Sequence, residues 1–292
     1  MTPEIPELSQ ETARETALGT PTTAPAPRRA RVLAIANQKG GVGKTTTAVN
    51  LATALAACEK RVLVIDLDPQ GNASTGLGVA TERRSHNVYH VILGDRPLEA
   101  AMIASRVPGM FVVPSDVDLS AAELELIEIP NRERCLQRAL ERSELDFDYI
   151  LIDCPPALGL LTLNALVAAQ AVLVPLQTEF YALEGLSHLV RTIKRVKRAL
   201  NPELEIQGIV LTMYDRRNNL CDQVAQDVRA HMGEAVYETI IPRNVRVSEA
   251  PSHGKPVLIY DMNCAGSRAY IRLAREILRR EQARAPAPAL AV

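Results

Sequence analysis

The chain has no tryptophan, and aromatic residues fill only 3% of its 292 positions. A site that reads single-stranded bases by stacking needs aromatic platforms, so that class is disfavoured. No run approaches the roughly 20 apolar residues of a membrane-spanning helix. The N-terminus lacks a basic segment followed by an apolar one, so no secretory signal is read there. Cysteine is sparse: Cys58, Cys135, Cys154, Cys221 and Cys264, the nearest pair 19 apart. That spacing excludes the C-x-x-C pairs of zinc and redox motifs. An odd, scattered set fits reduced thiols, and the expected location is the cytoplasm. Net charge is missing too: 33 Lys plus Arg against 34 Asp plus Glu leave −1. A nucleic-acid partner ordinarily shows as a basic excess, so near-neutrality at first weighs against one.

What is present is a core. Hydrophobic residues make up 47% of the chain, too many for a disordered polymer. The ends differ from the middle. Residues 1–29 hold five prolines and almost no large apolar side chains, and read as a flexible arm. Residues 283–292 read as an Ala/Pro tail. The folded body is expected over 30–282 as one domain. Within it, near-continuous Val/Ile/Leu runs occur at Val32–Ala36, Val62–Ile65, Met110–Val113, Tyr149–Ile152, Ala171–Val174, Ile206–Leu211 and Val236–Ile240. Such runs suit strands buried on both faces. Helical stretches separate them: Thr45–Cys58, Leu119–Leu126, Arg132–Arg142, Leu158–Ala168, Leu183–Leu200, Cys221–His231 and Gly266–Gln282. Strand and helix in alternation predict an α/β fold, a mostly parallel twisted sheet with helices on both faces.

Between the first run and the first helix lies Asn37-Gln-Lys-Gly-Gly-Val-Gly-Lys-Thr-Thr-Thr47. Its closing Gly43-Lys44-Thr45-Thr46 is that of a phosphate-binding P-loop. The first glycine of the general pattern is replaced by Lys39. Gly40, Gly41 and Gly43 let backbone N–H groups, including that of Val42, curl round an anion. The helix that follows offers unpaired N–H groups and its positive dipole end. Lys44 brings an ammonium to the β- and γ-phosphates. The Thr45 hydroxyl suits Mg²⁺, a hard cation that prefers oxygen. A glycine-rich turn with a chance lysine is the plainer explanation, and the strand–loop–helix context argues against it.

Two acidic clusters end strands: Asp66-Leu67-Asp68 and Asp153-Cys154-Pro155. In open α/β sheets the site lies at the carboxyl ends of strands. Asp153 follows four apolar residues, the form of a Walker B aspartate that holds Mg²⁺, often through water. Asp68 is better placed to orient an attacking water, and Asp66 to join the metal shell. A strand-end Asp is also an ordinary turn residue, so these roles depend on the neighbouring loop.

Charge is not spread evenly. Residues 116–148 carry ten acids and four bases, whereas 185–292 carry 17 bases and 11 acids. The basic excess includes Arg191, Lys194, Arg195, Lys197 and Arg198 on one helix, then Arg216, Arg217, Arg243, Arg246 and Lys255. Alone, such a face is usually just solvated.

The constellation resembles the ParA/Soj family of chromosome and plasmid partition ATPases, of the deviant Walker A class that includes MinD. The resemblance spans about 31–282 and rests on Asn37–Asn50, Val64–Gly78, Ile150–Pro156, Pro175–Leu186, Leu211–Asp215 and Ile241–Pro256. It implies ATP and Mg²⁺ as cofactors and slow, partner-stimulated hydrolysis. Lys39 becomes the signature lysine, crossing to the nucleotide of a second copy in an ATP-sandwich homodimer. Lys44 becomes the P-loop lysine, Thr45 the Mg²⁺ ligand and Asp68 the hydrolytic residue. Met213, Pro242 and Asn244 fall where the family surrounds adenine. Glu179 and Glu184 fall near the dimer face. Arg217 matches a non-specific double-stranded DNA contact, joined by Arg246 and Lys255, which places the protein on the nucleoid. The implied partner is a ParB-type centromere-binding protein.

Two other readings share the loop. A MinD-like membrane-associated positioning ATPase would use the last helix as an anchor. Its apolar positions Ile271, Leu273, Ala274, Ile277 and Leu278 form an ordinary core stripe without Phe or Trp, so no membrane partner is expected. A nitrogenase-iron-protein-like reductase needs cysteines to hold a cluster between subunits, and no suitable pair is evident.

Overall fold

The computed structural model describes residues 30–284, so the expected arm at 1–29 and the end of the tail lie outside the described residues. Eight strands form one sheet: β1 Arg31–Ile35, β2 Val62–Asp66, β3 Ile103–Ala104, β4 Met110–Val113, β5 Tyr149–Asp153, β6 Ala171–Gln177, β7 Glu205–Tyr214 and β8 Val236–Pro242. Their order is β3-β4-β2-β5-β1-β6-β7-β8. Every pairing is parallel except β3 with β4. All seven expected strands are present. β3 went unread because two residues on an antiparallel edge give no periodic signal.

Alternation along the strands explains why both faces are apolar. Val32 and Ala34 of β1, Leu63 and Ile65 of β2, and Ile150 and Ile152 of β5 point into one core. Leu33, Ile35, Val62, Val64 and Leu151 point into the other. Helices Lys44–Ala56 and Ala265–Arg284 cover the second face through Leu51, Leu55, Tyr270, Leu273 and Ile277. Helices Leu160–Ala168, Ala182–Ala199 and Asn219–Met232 cover the first. The last helix runs through Arg284, two residues past the expected end of the body. Its apolar stripe is spent on the core: Leu273, Ala274 and Ile277 are fully buried. No helix among the described residues is long and apolar enough to cross a membrane.

The order places β1 at the centre, between β5 and β6, with β2 on the far side of β5. The loop after β1 therefore leaves the sheet beside the ends of β5 and β2. Asp66 and Asp153 stand in register as neighbours across that β2–β5 pairing.

Candidate nucleotide site

The glycines do the backbone work expected of them at two positions. Gly41 has φ +73° and Gly43 φ +89°, in the left-handed region where a Cβ is strained. Gly43 caps helix Lys44–Ala56, with no side-chain cap and no acid in the first turn. The N-terminal N–H groups and dipole are thus uncompensated by the chain itself, which favours an anion there. Two side-chain hydrogen bonds tie the loop to strands β6 and β7. The Asn37 amide donates to the Pro175 carbonyl at 2.8 Å, and the Thr212 hydroxyl donates to the Val42 carbonyl at 2.8 Å.

Lys44 is buried, and its ammonium donates to the Lys39 carbonyl at 3.0 Å. Burial pushes its pKa down, and the carboxylate of Asp153 opposes that shift. Thr45 and Thr46 are half-buried in the same turn. Asp153 is fully buried, and neither of its oxygens has a hydrogen-bond partner of normal geometry. Burial drives its pKa far upward, reinforced by Asp66, while the Thr45 hydroxyl and Lys44 pull it back. A buried carboxylate with both oxygens orphaned is costly. The donor set fits a hard cation: one unspent carboxylate and one hydroxyl, beside a loop whose Gly40 and Gly41 face open space.

Asp66 is different. Its Oδ2 accepts from the Ser74 amide at 2.7 Å and the Ser74 hydroxyl at 2.6 Å, and its Oδ1 accepts from the Asp68 amide at 3.3 Å. Burial still pushes its pKa up to about 6. Of the two carboxylates expected near the metal, Asp153 is the one with free oxygens. Asp68 is buried and turns the chain, its carboxylate accepting from the Gln70 amide at 3.0 Å.

Lys39 is exposed and ion-paired with Glu179 of the same chain. Glu184 is exposed in the first turn of helix Ala182–Ala199. Met213 has φ +50°, uncommon for a residue with a side chain, and its Cε lies 3.8 Å from where a Cβ on Gly43 would stand. Pro242 ends β8 opposite Tyr214. The Asn244 side chain caps helix Val245–Glu249, accepting from the Val247 amide at 3.3 Å. Arg217 is 88% exposed and clasps Asp215 with two hydrogen bonds, which hold the Asp215 carboxyl down at about 2. Arg246 pairs with Glu249 and Asp261, and Lys255 is half-buried. The Arg243 amide donates to the Tyr214 carbonyl at 2.9 Å, so the 216–217 and 243 arginines leave adjacent strand ends. Thr212, Ser74 and Arg84 were not anticipated. Their roles depend on contacts 8 to 170 residues away that no local pattern signals.

A glycine loop after the central strand of a parallel sheet, opening a helix beside two strand-end aspartates, defines the P-loop nucleotide-binding class. A family model described as an AAA domain matches residues 30–206. The chromosome partitioning protein ParA of Caulobacter vibrioides is 62% identical over 256 residues, 87% of this chain and 96% of that protein. The chromosome-partitioning ATPase Soj of Thermus thermophilus is 50% identical over 254 residues, covering 87% and 98%. Among solved structures, a Mycobacterium smegmatis protein titled cobyrinic acid a,c-diamide synthase, with bound ATP analogue and magnesium, superposes with a TM-score of 0.77. It is 39% identical, covering 89% of this chain and 99% of that one. The chain belongs to the ParA/Soj family of chromosome-partitioning ATPases.

Proposed function

We propose that the chain is a DNA-segregation switch driven by ATP hydrolysis. ATP is held at Lys39–Thr46, with Met213 and Pro242 towards the base and Asn244 shaping that wall through its helix cap. The observation that carries this reading is Asp153: a buried carboxylate with two unpartnered oxygens, facing Lys44 and Thr45. Thr45 and Asp153 would hold Mg²⁺, Asp153 through water, and Asp66 would add charge while its oxygens secure Ser74. When bound, Mg²⁺ neutralises phosphate charge and fixes its orientation. Lys44 stabilises the charge that develops on the transferred phosphoryl group. Asp68 orients the attacking water and accepts hydrogen bonding from it.

Lys39 completes the site of a second copy. In the single chain it is held by Glu179, so pairing exchanges one ion pair for a phosphate contact. Glu179 and Glu184 then lie at the dimer face. The pair presents two sets of Arg217, Arg246 and Lys255 to DNA phosphates, contacts that carry no sequence code. A ParB-type partner triggers hydrolysis and release. The protein works in the cytoplasm on the nucleoid. The apolar stripe of the last helix is packed in the core, which favours this reading over the MinD-like membrane one.

The test is binding to sheared random-sequence DNA with ATP or ADP. Binding is expected only with ATP, falling steeply with salt. Equal binding with ADP, or ATP-dependent sedimentation with anionic vesicles and none with DNA, would overturn the proposal.

A further inference from the structure

Arg84 is 7% exposed, and no carboxylate pairs with its guanidinium among the described residues. A buried charge is held only when its donors are satisfied. Here they are, almost entirely by backbone carbonyls. Nε and Nη2 donate to Val79 at 3.2 and 2.7 Å. Nη1 donates to Gly71 at 3.4 Å and Ser115 at 3.2 Å, and Nη2 donates to the Thr75 hydroxyl at 2.9 Å. A hydrophobic residue would fill this space at lower desolvation cost, so the guanidinium serves the geometry of the groups it joins.

Those groups form the turn that carries Asp68. The Gly71 amide donates to the Asp68 carbonyl at 2.9 Å, closing the turn. Gly71 sits at φ +61°, and a Cβ there would meet Arg84 Nη1 at 2.5 Å and the Ser115 carbonyl at 2.9 Å. The Thr75 hydroxyl donates to the Gly71 carbonyl at 3.0 Å while accepting from Arg84. On the other side, the Ser115 amide donates to the Ser74 hydroxyl at 3.0 Å, and Ser74 holds Asp66. The contacts close a ring: Asp66, Ser74, Ser115, Arg84, Gly71 and the Asp68 turn, whose amide returns to Asp66.

We infer that Arg84 is a positioning residue for hydrolysis, fixing the Asp68 carboxylate by clamping the Asp68–Gly71 turn against the Ser115 loop. The Arg84 guanidinium is spent on Val79, Gly71, Ser115 and Thr75, so it acts through the turn rather than on the reacting atoms. This rests on the ATPase reading and on Asp68 as the residue that orients water. An ammonium cannot replace the clamp, because the planar fork spans four acceptors that a point charge does not.

The test compares wild type, Arg84→Lys and Thr75→Val by thermal melting, by fluorescent ATP affinity, and by turnover with Mg²⁺ and sheared DNA. Thr75 is exposed, so Thr75→Val removes one acceptor without opening the core. Both variants are expected to keep ATP affinity within about twofold while kcat falls, by about 10- to 100-fold for Arg84→Lys and less for Thr75→Val. A structural role alone would lower affinity and turnover together. Wild-type kcat in either folded variant, or parallel loss of affinity and kcat, overturns the inference. If Arg84→Lys does not fold, the kcat of Thr75→Val decides. A wild type with no turnover would instead overturn the ATPase reading, and this inference with it.

Discussion

The site stores a cost that metal-free protein must show as an inverted acid response. Asp66 is buried, and its pKa is pushed from 3.8 up to about 6. A carboxyl whose folded pKa is raised binds its proton more tightly folded than unfolded. Its stabilising share is therefore complete below about 4 and is lost as pH rises through about 6. A shift of about two units corresponds to about 3 kcal/mol against folding at neutral pH. Roughly half of that returns on acidification from about pH 7.5 to 5, on the order of 1–2 kcal/mol. For a domain of this size that raises Tm by about 3–6 °C. The assay is thermal melting in EDTA without nucleotide, for wild type, Asp66→Asn and Asp153→Asn. Asp153→Asn is expected to melt above wild type at neutral pH, because it removes a buried, unpartnered carboxyl that the fold can hold only by taking up a proton. Asp66→Asn should lose the share of that gain that Asp66 supplies, while the buried Asp153 keeps its own. With Mg²⁺ and ATP the response reverses, since metal ligands must be deprotonated, and the ligand-induced Tm rise should shrink below about pH 6. Wild type losing stability from neutral pH to 5 in EDTA, with the same slope as Asp66→Asn, would refute the reasoning.

Two further outcomes follow from the same geometry. Asp68→Ala should keep ATP affinity and lose turnover by about 100-fold or more, measured by phosphate release, leaving an ATP-bound pair on DNA. Arg217→Glu should abolish the gel shift of random-sequence DNA while ATP-dependent pairing, read by light scattering, persists; retention of DNA at low salt would remove Arg217 from the interface.

Much of this was legible because its signals are local. Strands β1, β2 and β4–β7 are buried on both faces, and such burial writes a near-continuous apolar run, whereas edge strand β8 is broken by exposed Glu238. The phosphate loop is equally plain, since Gly41 and Gly43 adopt conformations that other residues avoid. Short pieces were lost for the opposite reason. Helices Asn72–Gly76, Val245–Glu249 and Val257–Tyr260 span a turn or so, less than one amphipathic repeat. Asn244 shows how a motif position acquires a second duty. The proposed site sets it towards adenine, yet its side chain accepts from the Val247 amide and so spends itself on a helix start.

Charge was the least legible property, and its correction is physical. A net of −1 averages an acidic stretch at 116–148 with a basic C-terminal third. In the fold, Arg191, Lys194, Arg195, Lys197 and Arg198 all face solvent along one helix, while Arg217 and Arg246 are held by Asp215, Glu249 and Asp261. Arginines in exposed pairs exchange partners at little cost, because solvent and salt screen such pairs. One copy thus offers a field already partly neutralised. Under the proposed pairing, two copies would double the patch without doubling the cost of ordering it, and avidity would rise far faster than charge. In the proposed switch, near-neutrality is then the composition of a protein whose grip on a polyanion depends on pairing, and Lys39, tied to Glu179 in the single chain, would be the residue through which pairing and nucleotide are coupled.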